Sequence, residues 1–446
     1  MRSFSHSLDR ISVTFDDERA VASAGLIQSA TLAQHLGLGE LFDEYVDLGG
    51  APGHANVGLK AMTLVQSLLA GGDCIDDADA MRSASTERVL GHGVRAPSTL
   101  GTFLRSFTFG HVSQLDKVFD EALRGAWAAG AGPGDGPIAI DVDSTICETY
   151  GFAKQGARFG HTKVRGYHPL LASLAGSEEV LGVRLRGGNA NSARGAASFL
   201  TTVFNRVRRA GAGGPIVLRA DSGFYNHNVT DACRKAKVSF SITVKMSKTM
   251  RRVIGEIPEE AWTAIPYWID GGADVAETRW RPFSNKHPEV RLIVRRVRPT
   301  PGSQLALVAI YDYHAFITDR EGEILYLEAD HRRHAVVEDV VRDLKYGVGL
   351  NHLPSGRFAA NAAWLVFNAL AHNLGRWVHH IGLGEQSPPM TTKTLRTRLL
   401  SLPGRMTSSG GRQQLHLPTD WPWEEQFSRC LQNLRAIRRP IAPIRA

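Results

Sequence analysis

Aspartate is a poor strand former, yet two aspartates close the apolar run Ile138-Ala139-Ile140-Asp141-Val142-Asp143. Their i, i+2 spacing puts both carboxylates on one face of a strand. A third aspartate, Asp221, follows directly on Ile216-Val217-Leu218-Arg219-Ala220. Taken singly, each would serve as a turn or cap residue. Together, acids at the ends of two strands can converge at a sheet edge, where α/β proteins place ligands. A further acid lies in HRRHAVVEDVVRDLK, residues 331–345. With His334 at 0°, a helical step of about 100° puts Glu338 at about 40°, Arg342 at about 80° and Lys345 at about 20°. Val336, Val337, Val340, Val341 and Leu344 fill the opposite arc. His334, Glu338 and Lys345 then share one face. The alternative is a solvated face with a Glu338–Arg342 pair worth about 0.2–0.5 kcal/mol.

Three carboxylates suit one chemistry well. Magnesium, or manganese in its place, prefers hard oxygen ligands and keeps open water positions. Two such ions about 3.5–4 Å apart activate a water and stabilise the leaving oxygen of an in-line phosphoryl displacement.

The elements that must position these acids can be read from the pattern. Residues 1–130 are mostly helical, with apolar residues at helical spacing over 26–46 and 61–69. Pro97 to Arg105 is a helix that could read DNA or simply pack. Ala128 to Pro137 is Gly/Pro-rich and marks a boundary. Strands are expected at 138–143, 167–174, 180–185, 215–220 and 238–244, with helices at 193–209 and 226–236. That order predicts an α/β fold with a mixed-sheet core. The helical period disappears from Met246 to Arg320, where apolar stretches such as 291–297 and 306–311 alternate with turns. This predicts a β-rich insertion. Asp330 to Lys345 reads as one amphipathic helix and Phe358 to His380 as another. The divisions are 1–130, a core at 137–245 and 326–385 split by the insertion at 246–325, and a C-terminal region at 386–446.

Hydrophobic residues make up 43% of the 446 and charged residues 22%, which excludes a disordered or collagen-like chain. Net charge is +8. Residues 391–446 hold ten Lys/Arg against three Asp/Glu, which suggests a polyanion partner beside the alternative of a charged soluble face. Four separated cysteines without a CxxC pair exclude a zinc ribbon and fit a reducing cytoplasm. The start MRSFSHSLDR lacks the apolar run of a signal peptide. Polar residues interrupt Phe358 to Val378, so it reads as a buried helix and not a membrane span.

The set Asp143, Asp221, Glu338 resembles the acid triad of DDE transposases with an RNase H-like core. The spacing of His331, His334, Glu338 and Lys345 is similar to the Tyr-Arg-Glu-Lys signature of the IS-four superfamily, and the likeness is closest to its thirteen-eighty group. The phrases IDVDST, RGYHPLLASLAG, LRGGNANS, VLRADSGFY, HRRHAVVEDVVRDLKYGVGLNHLP and FAANAAWLVFNALAHNLGRW carry it in order. The resemblance implies a cytoplasmic transposase of a bacterial insertion sequence, with an RNase H-like mixed-sheet core, a β-rich insertion and a helical DNA-binding N-terminal region. It would use two Mg²⁺ or Mn²⁺ ions for strand cleavage and strand transfer. Asp143, Asp221 and Glu338 would be the catalytic and metal-binding set, with Asp141 as alternate first ligand. Thr145 matches the motif threonine, and Lys345 the lysine that touches phosphate. His331 stands where Tyr is usual and His334 where Arg is usual. His334, Lys345, Arg333, Arg342, Arg186 and Asn189 are the expected DNA contacts. One of Trp262, Trp268 and Trp280 is the expected base-stacking residue. The partners would be double-stranded DNA, both terminal inverted repeats and target, and a second subunit on the DNA, with no membrane. A nuclease of the same fold without strand transfer, and a catalytically idle DNA-binding descendant, are the alternatives.

Overall fold

The computed structural model describes residues 8–160, 162–267, 272–298, 311–384 and 386–438. Its centre is one sheet of nine strands: β1 (Ile138–Ser144), β2 (Leu170–Leu174), β3 (Val180–Arg184), β4 (Ile216–Ala220), β5 (Ser239–Thr243), β6 (Thr263–Ile265), β7 (Ala273–Trp280), β8 (Val290–Val297) and β9 (Asp312–Thr318). Their spatial order is β6-β7-β8-β9-β5-β4-β1-β2-β3. β1 runs antiparallel to β2 and parallel to β4, and β4 parallel to β5. Three antiparallel strands followed by two parallel ones make the RNase H-like mixed core.

The strands of the expected insertion do not stand apart. β9 pairs antiparallel with β5, so β6 to β9 continue the core sheet. The stretch 246–320 also contains a helix, Lys248–Gly255, whose Met250 and Ile254 are buried while its cations face water. Of the apolar stretch 306–311, only Tyr311 lies within the described residues.

Eight helices matter for the site and its support: α1 (Val57–Ala70), α2 (Phe109–Ala126), α3 (Ala196–Ala210), α4 (His227–Lys235), α5 (Ile324–Arg332), α6 (Val337–Gly347), α7 (Phe358–Leu383) and α8 (Glu424–Ala436). α7 is the hub and is buried along most of its length. Its polar residues are satisfied by specific partners, as burial requires. Asn373 brackets the backbone of Val180, accepting from its N–H at 2.7 Å and donating to its carbonyl at 2.8 Å. Trp377 and Trp127 both donate to buried Glu179, at 3.0 and 2.9 Å. Burial raises the pKa of Glu179, and the two indole N–H groups oppose that. Among the described residues, no helix is long and apolar enough to cross a membrane. His379 and His380 lie within α7, bonded to the carbonyls of Pro388 and Ser177, and do not end it.

The helix Pro97–Arg105 packs through Leu100, Phe103 and Leu104, and the Phe103 ring lies 6.1 Å from that of Phe367 on α7. The C-terminal region is not a tail. The hairpin Gly404–Ser409 and Arg412–His416 pairs with the short strand Ala20–Val21. Phe427, Cys430 and Leu434 of α8 are buried in the main core.

Candidate active site

β1 and β4 run parallel in register, with Asp141 opposite Arg219 and Val142 opposite Ala220. One step further the two chains reach Asp143 and Asp221. Neighbouring strands lie about 4.8 Å apart, so the two acids leave the sheet side by side. Glu338 comes from the first turn of α6 and is exposed. Burial raises the pKa of Asp143, and the nearby carboxylates of Asp221 and Glu338 push it further up. The Ser144 N–H, 2.6 Å from Asp143 Oδ1, and His334 work in the opposite direction. Asp221 caps the tight turn Ser222–Phe224, accepting from the Gly223 N–H at 3.0 Å. Asp143 thus feels both other acids. Their oxygens do not all fall within 4.8 Å of each other, a spacing that only Asp73, Cys74 and Asp77 meet among the described residues. Like charges repel, and ligands of two ions about 3.5–4 Å apart need not all reach one point. The donor set, carboxylate oxygens alone, fits a hard divalent cation.

Asp141 sits on the same face but one level deeper, and it is not an available ligand. It is 1% exposed. Arg219 grips both of its oxygens, Nε to Oδ1 at 2.8 Å and Nη2 to Oδ2 at 2.7 Å. His334 Nδ1 donates to Oδ1 at 2.8 Å. Arg219 continues to Asp330, whose other oxygen meets Arg320. Burial opposes the charge on Arg219, but the Asp141 and Asp330 carboxylates outweigh it and hold its pKa above the usual value. A buried carboxylate with both oxygens engaged has little left to offer a metal.

The helix expected over 330–345 is broken. α5 ends at Arg332, a 3₁₀ turn spans Arg333–Val336, and α6 begins at Val337. A 3₁₀ turn advances about 20° more per residue than an α-helix, so the face computed across His334 and Glu338 does not persist. Val336 ends up 37% exposed instead of in the core. His334 turns back to Asp141, which leaves only Nε2 for a phosphate. His331 is half-buried, stacked 4.1 Å from the Phe316 ring and bonded to the hydroxyls of Ser241 at 2.8 Å and Thr243 at 3.0 Å. Burial pushes its pKa down to about 3.

The other expected DNA contacts divide. Arg186 is 8% exposed and spends its guanidinium on the carbonyls of His168, Asn191, Ser192 and Arg194. It shapes the loop and is little open to solvent. Asn189, on that loop, is exposed. The loop reaches the acids through Ser192, whose hydroxyl lies 2.9 Å from that of Ser144. Lys345 is half-buried and donates to the Ile146 carbonyl at 2.9 Å. Arg342 is exposed and pairs with Asp339 at 2.6 Å, not with Glu338. Arg333 is exposed and has no ion pair among the described residues. Trp262 lies under the Arg296 guanidinium at 4.3 Å, and Trp280 donates to the Tyr225 hydroxyl at 3.1 Å. Trp268 falls outside the described residues.

Arg219 was the residue that sequence reasoning passed over. The signal was present: a lone charge inside an apolar strand, two residues before an acid, as Asp141 is before Asp143.

An RNase H-like sheet carrying acids at the ends of two adjoining parallel strands, with a helix acid beside them, defines the class of DDE enzymes. The chain belongs to the family "Transposase DDE domain group 1", whose model matches residues 5–439. No curated protein matches it. Among solved structures it is similar to the piggyBac transposase synaptic complex with hairpin DNA, at 11% identity and a TM-score of 0.47, over 84% of this chain and 79% of that one.

Proposed function

We propose that this chain is the transposase of a bacterial insertion sequence, of the thirteen-eighty group in the IS-four superfamily, and that it cleaves and joins DNA strands at the element's ends. The observation that carries this is the outer pair Asp143 and Asp221, set side by side on parallel strands with Glu338 near enough to raise the pKa of Asp143. Unneutralised negative charge of that density is what divalent cations relieve. Asp143, Asp221 and Glu338 would hold Mg²⁺ or Mn²⁺, which supplies water activation and charge stabilisation when bound. The chain's own residues do the rest. Arg219 and His334 hold Asp141 and so the end of β1. The exposed Arg333 and Asn189, with Lys345 and Arg342, steer phosphates to the acids. Water attacks the phosphodiester and leaves a 3′-hydroxyl and a 5′-phosphate; that hydroxyl then attacks a target phosphodiester and displaces its 3′-oxygen, so no protein nucleophile is required. Joining two ends calls for two subunits on the DNA, most simply a symmetric dimer, acting in the cytoplasm where the bacterial chromosome lies.

The test is cleavage of a duplex carrying the element's end, with Mg²⁺. Glu338→Gln should abolish cleavage and leave binding of that duplex within about twofold. Loss of binding in a folded variant would make Glu338 structural. Cleavage without joining to a target duplex would reduce the activity to that of a nuclease.

A further inference from the structure

Between β1 and β2 the chain leaves the large sheet and builds a small one. The strands Cys147–Glu148, Arg158–Phe159 and Arg165–Tyr167 pair antiparallel, with Arg165–Tyr167 in the middle. This arm starts just past Ser144, so it grows from the rim that carries Asp143. It is firmly rooted. A Cβ on Gly188 would fall 2.2 Å from the Gly166 carbonyl oxygen and 2.3 Å from that of Arg158, so only glycine lets the loop lie this close. Tyr167 donates its hydroxyl to the Gln155 carbonyl at 2.7 Å, and Lys345 holds the Ile146 carbonyl at the arm's base.

A rooted arm would ordinarily fold its large apolar side chains inward. Here Tyr150, Phe152 and Phe159 are 82%, 90% and 63% exposed. Their setting is mainly cationic. Residues 147–167 contain four Lys/Arg against one acid, Glu148. Arg158 and Lys163 are exposed. Arg165 donates to the carbonyls of Gly151 and Phe152, and its guanidinium lies 5.4 Å from the centre of the Phe152 ring, which steadies that ring in water. Exposed rings among cations are what single-stranded nucleic acid binds: bases stack on the rings and phosphates meet the charges. The described tryptophans of the sheet extension are already committed to Arg296 and Tyr225. A second copy of the arm is a poor occupant, because cationic surfaces repel each other.

We infer that the arm receives an unpaired stretch of DNA beside the acids, with Tyr150 and Phe152 stacking on bases and Arg158 and Lys163 holding the phosphates between them. The inference rests on the transposase reading and extends it to the strand that is opened.

The experiment compares two probes without divalent metal: a blunt duplex, and the same duplex with a short single-stranded tail bearing 2-aminopurine. The full chain should bind the tailed probe more tightly and quench its fluorescence. Tyr150→Ala/Phe152→Ala should weaken tailed binding by about thirtyfold or more, from the usual worth of stacking two bases, and abolish quenching. Blunt binding should hardly change. Phe152→Trp should retain tight, quenched binding. An unchanged thermal transition certifies the fold. Equal loss on both probes, or no loss, overturns the inference. So does loss of self-association with DNA binding intact, which would assign the rings to a second copy. If the chain quenches the tail through these rings but cuts no DNA, the enzyme reading fails and the arm stands. If it cuts and the double variant binds normally, the arm fails and the enzyme stands.

Discussion

Arg219→Met is the sharpest perturbation of the structure beneath the acids. The substitution keeps much of the side-chain volume and removes the guanidinium that joins Asp141 to Asp330. Asp330 keeps Arg320. Asp141 keeps only His334, at 2.8 Å, and is 1% exposed. The stranded charge is therefore that of Asp141. Breaking a buried ion pair from one side costs about 3–5 kcal/mol. Exchanging both partners for apolar residues costs far less, so Asp141→Leu/Arg219→Met should be more stable than the Arg219→Met single variant by at least about 2 kcal/mol. Urea unfolding followed by tryptophan fluorescence measures this, provided the m values agree among the variants. The double variant should retain some Mg²⁺-dependent cleavage, because both Asp141 oxygens are already engaged by Arg219 and His334. A single-variant loss below about 0.5 kcal/mol, the level of an ordinary surface change, would refute the argument. So would a double variant that is folded, stable and wholly without cleavage, for Asp141 would then be a ligand after all.

Three further outcomes follow from the same geometry. His331 stays neutral in the fold down to about pH 3, while an unfolded His takes a proton near pH 6.5. Its contribution is thus present above pH 6.5 and shrinks as pH falls, by about 2 kcal/mol between pH 6.5 and 5; His331→Phe should flatten that slope in urea titrations, and an unchanged slope would count against it. Asp143 has a raised pKa in the fold, so its contribution is intact below the unfolded value and is lost as pH rises through the folded one. Asp143→Asn should therefore be more stable than the parent at pH 8 without divalent metal, with the advantage gone near pH 4; equal stability at pH 8 would mean that neither burial nor the neighbouring acids penalises its charge. Arg405, Arg412 and Arg429 are exposed on the C-terminal region. Replacing all three by Ala should flatten the salt dependence of DNA binding by about 2.7 in log–log slope if each meets a phosphate, and no change would place DNA elsewhere. Substitution is the right tool there, because truncation would strip α8 from the core.

What could be read from the sequence was what depends on local pattern. The strands bearing Asp143 and Asp221 follow from apolar runs ended by acids, and the mixed sheet from the order of strands and helices. The joint between α5 and α6 was not legible, because periodicity assumes a constant 100° step. Four residues of 3₁₀ geometry rotate the chain by roughly 80° extra, enough to send His334 inward and Val336 outward. The loop-bracing role of Arg186 was hidden for another reason. An arginine beside glycines looks like a phosphate clamp, but the carbonyls it binds come from a loop path that residue types do not specify. The sheet extension was seen as β-rich, yet its pairing with β5 is a long-range contact with no local signature. The C-terminal region looked like a basic tail because its charges are frequent, although Leu395, Leu399, Phe427 and Leu434 already marked it as core.

The site is built on two levels, and the signs of the charges tell them apart. β1 contributes Asp141 and Asp143, and β4 contributes Arg219 and Asp221, each with one residue between. In register, the inner level pairs an acid with a base; one residue past the last register pair each chain brings an acid to the outer level, Asp143 and Asp221. The inner pair is buried and self-neutralising, so it fixes the strand ends. The outer pair repels itself, a cost that folding alone gives no reason to retain. The helical segment follows the same division. His334, from the 3₁₀ turn, reaches the inner level at Asp141, and Glu338, four residues on, adds a third negative charge to the outer one. A turn that only continued the helix would not have brought both residues to their levels. The break in the helix is thus what lets one segment brace the strand ends with a neutral ring or a cation and arm the rim with a carboxylate. Opposite charges mark the support and like charges the chemistry.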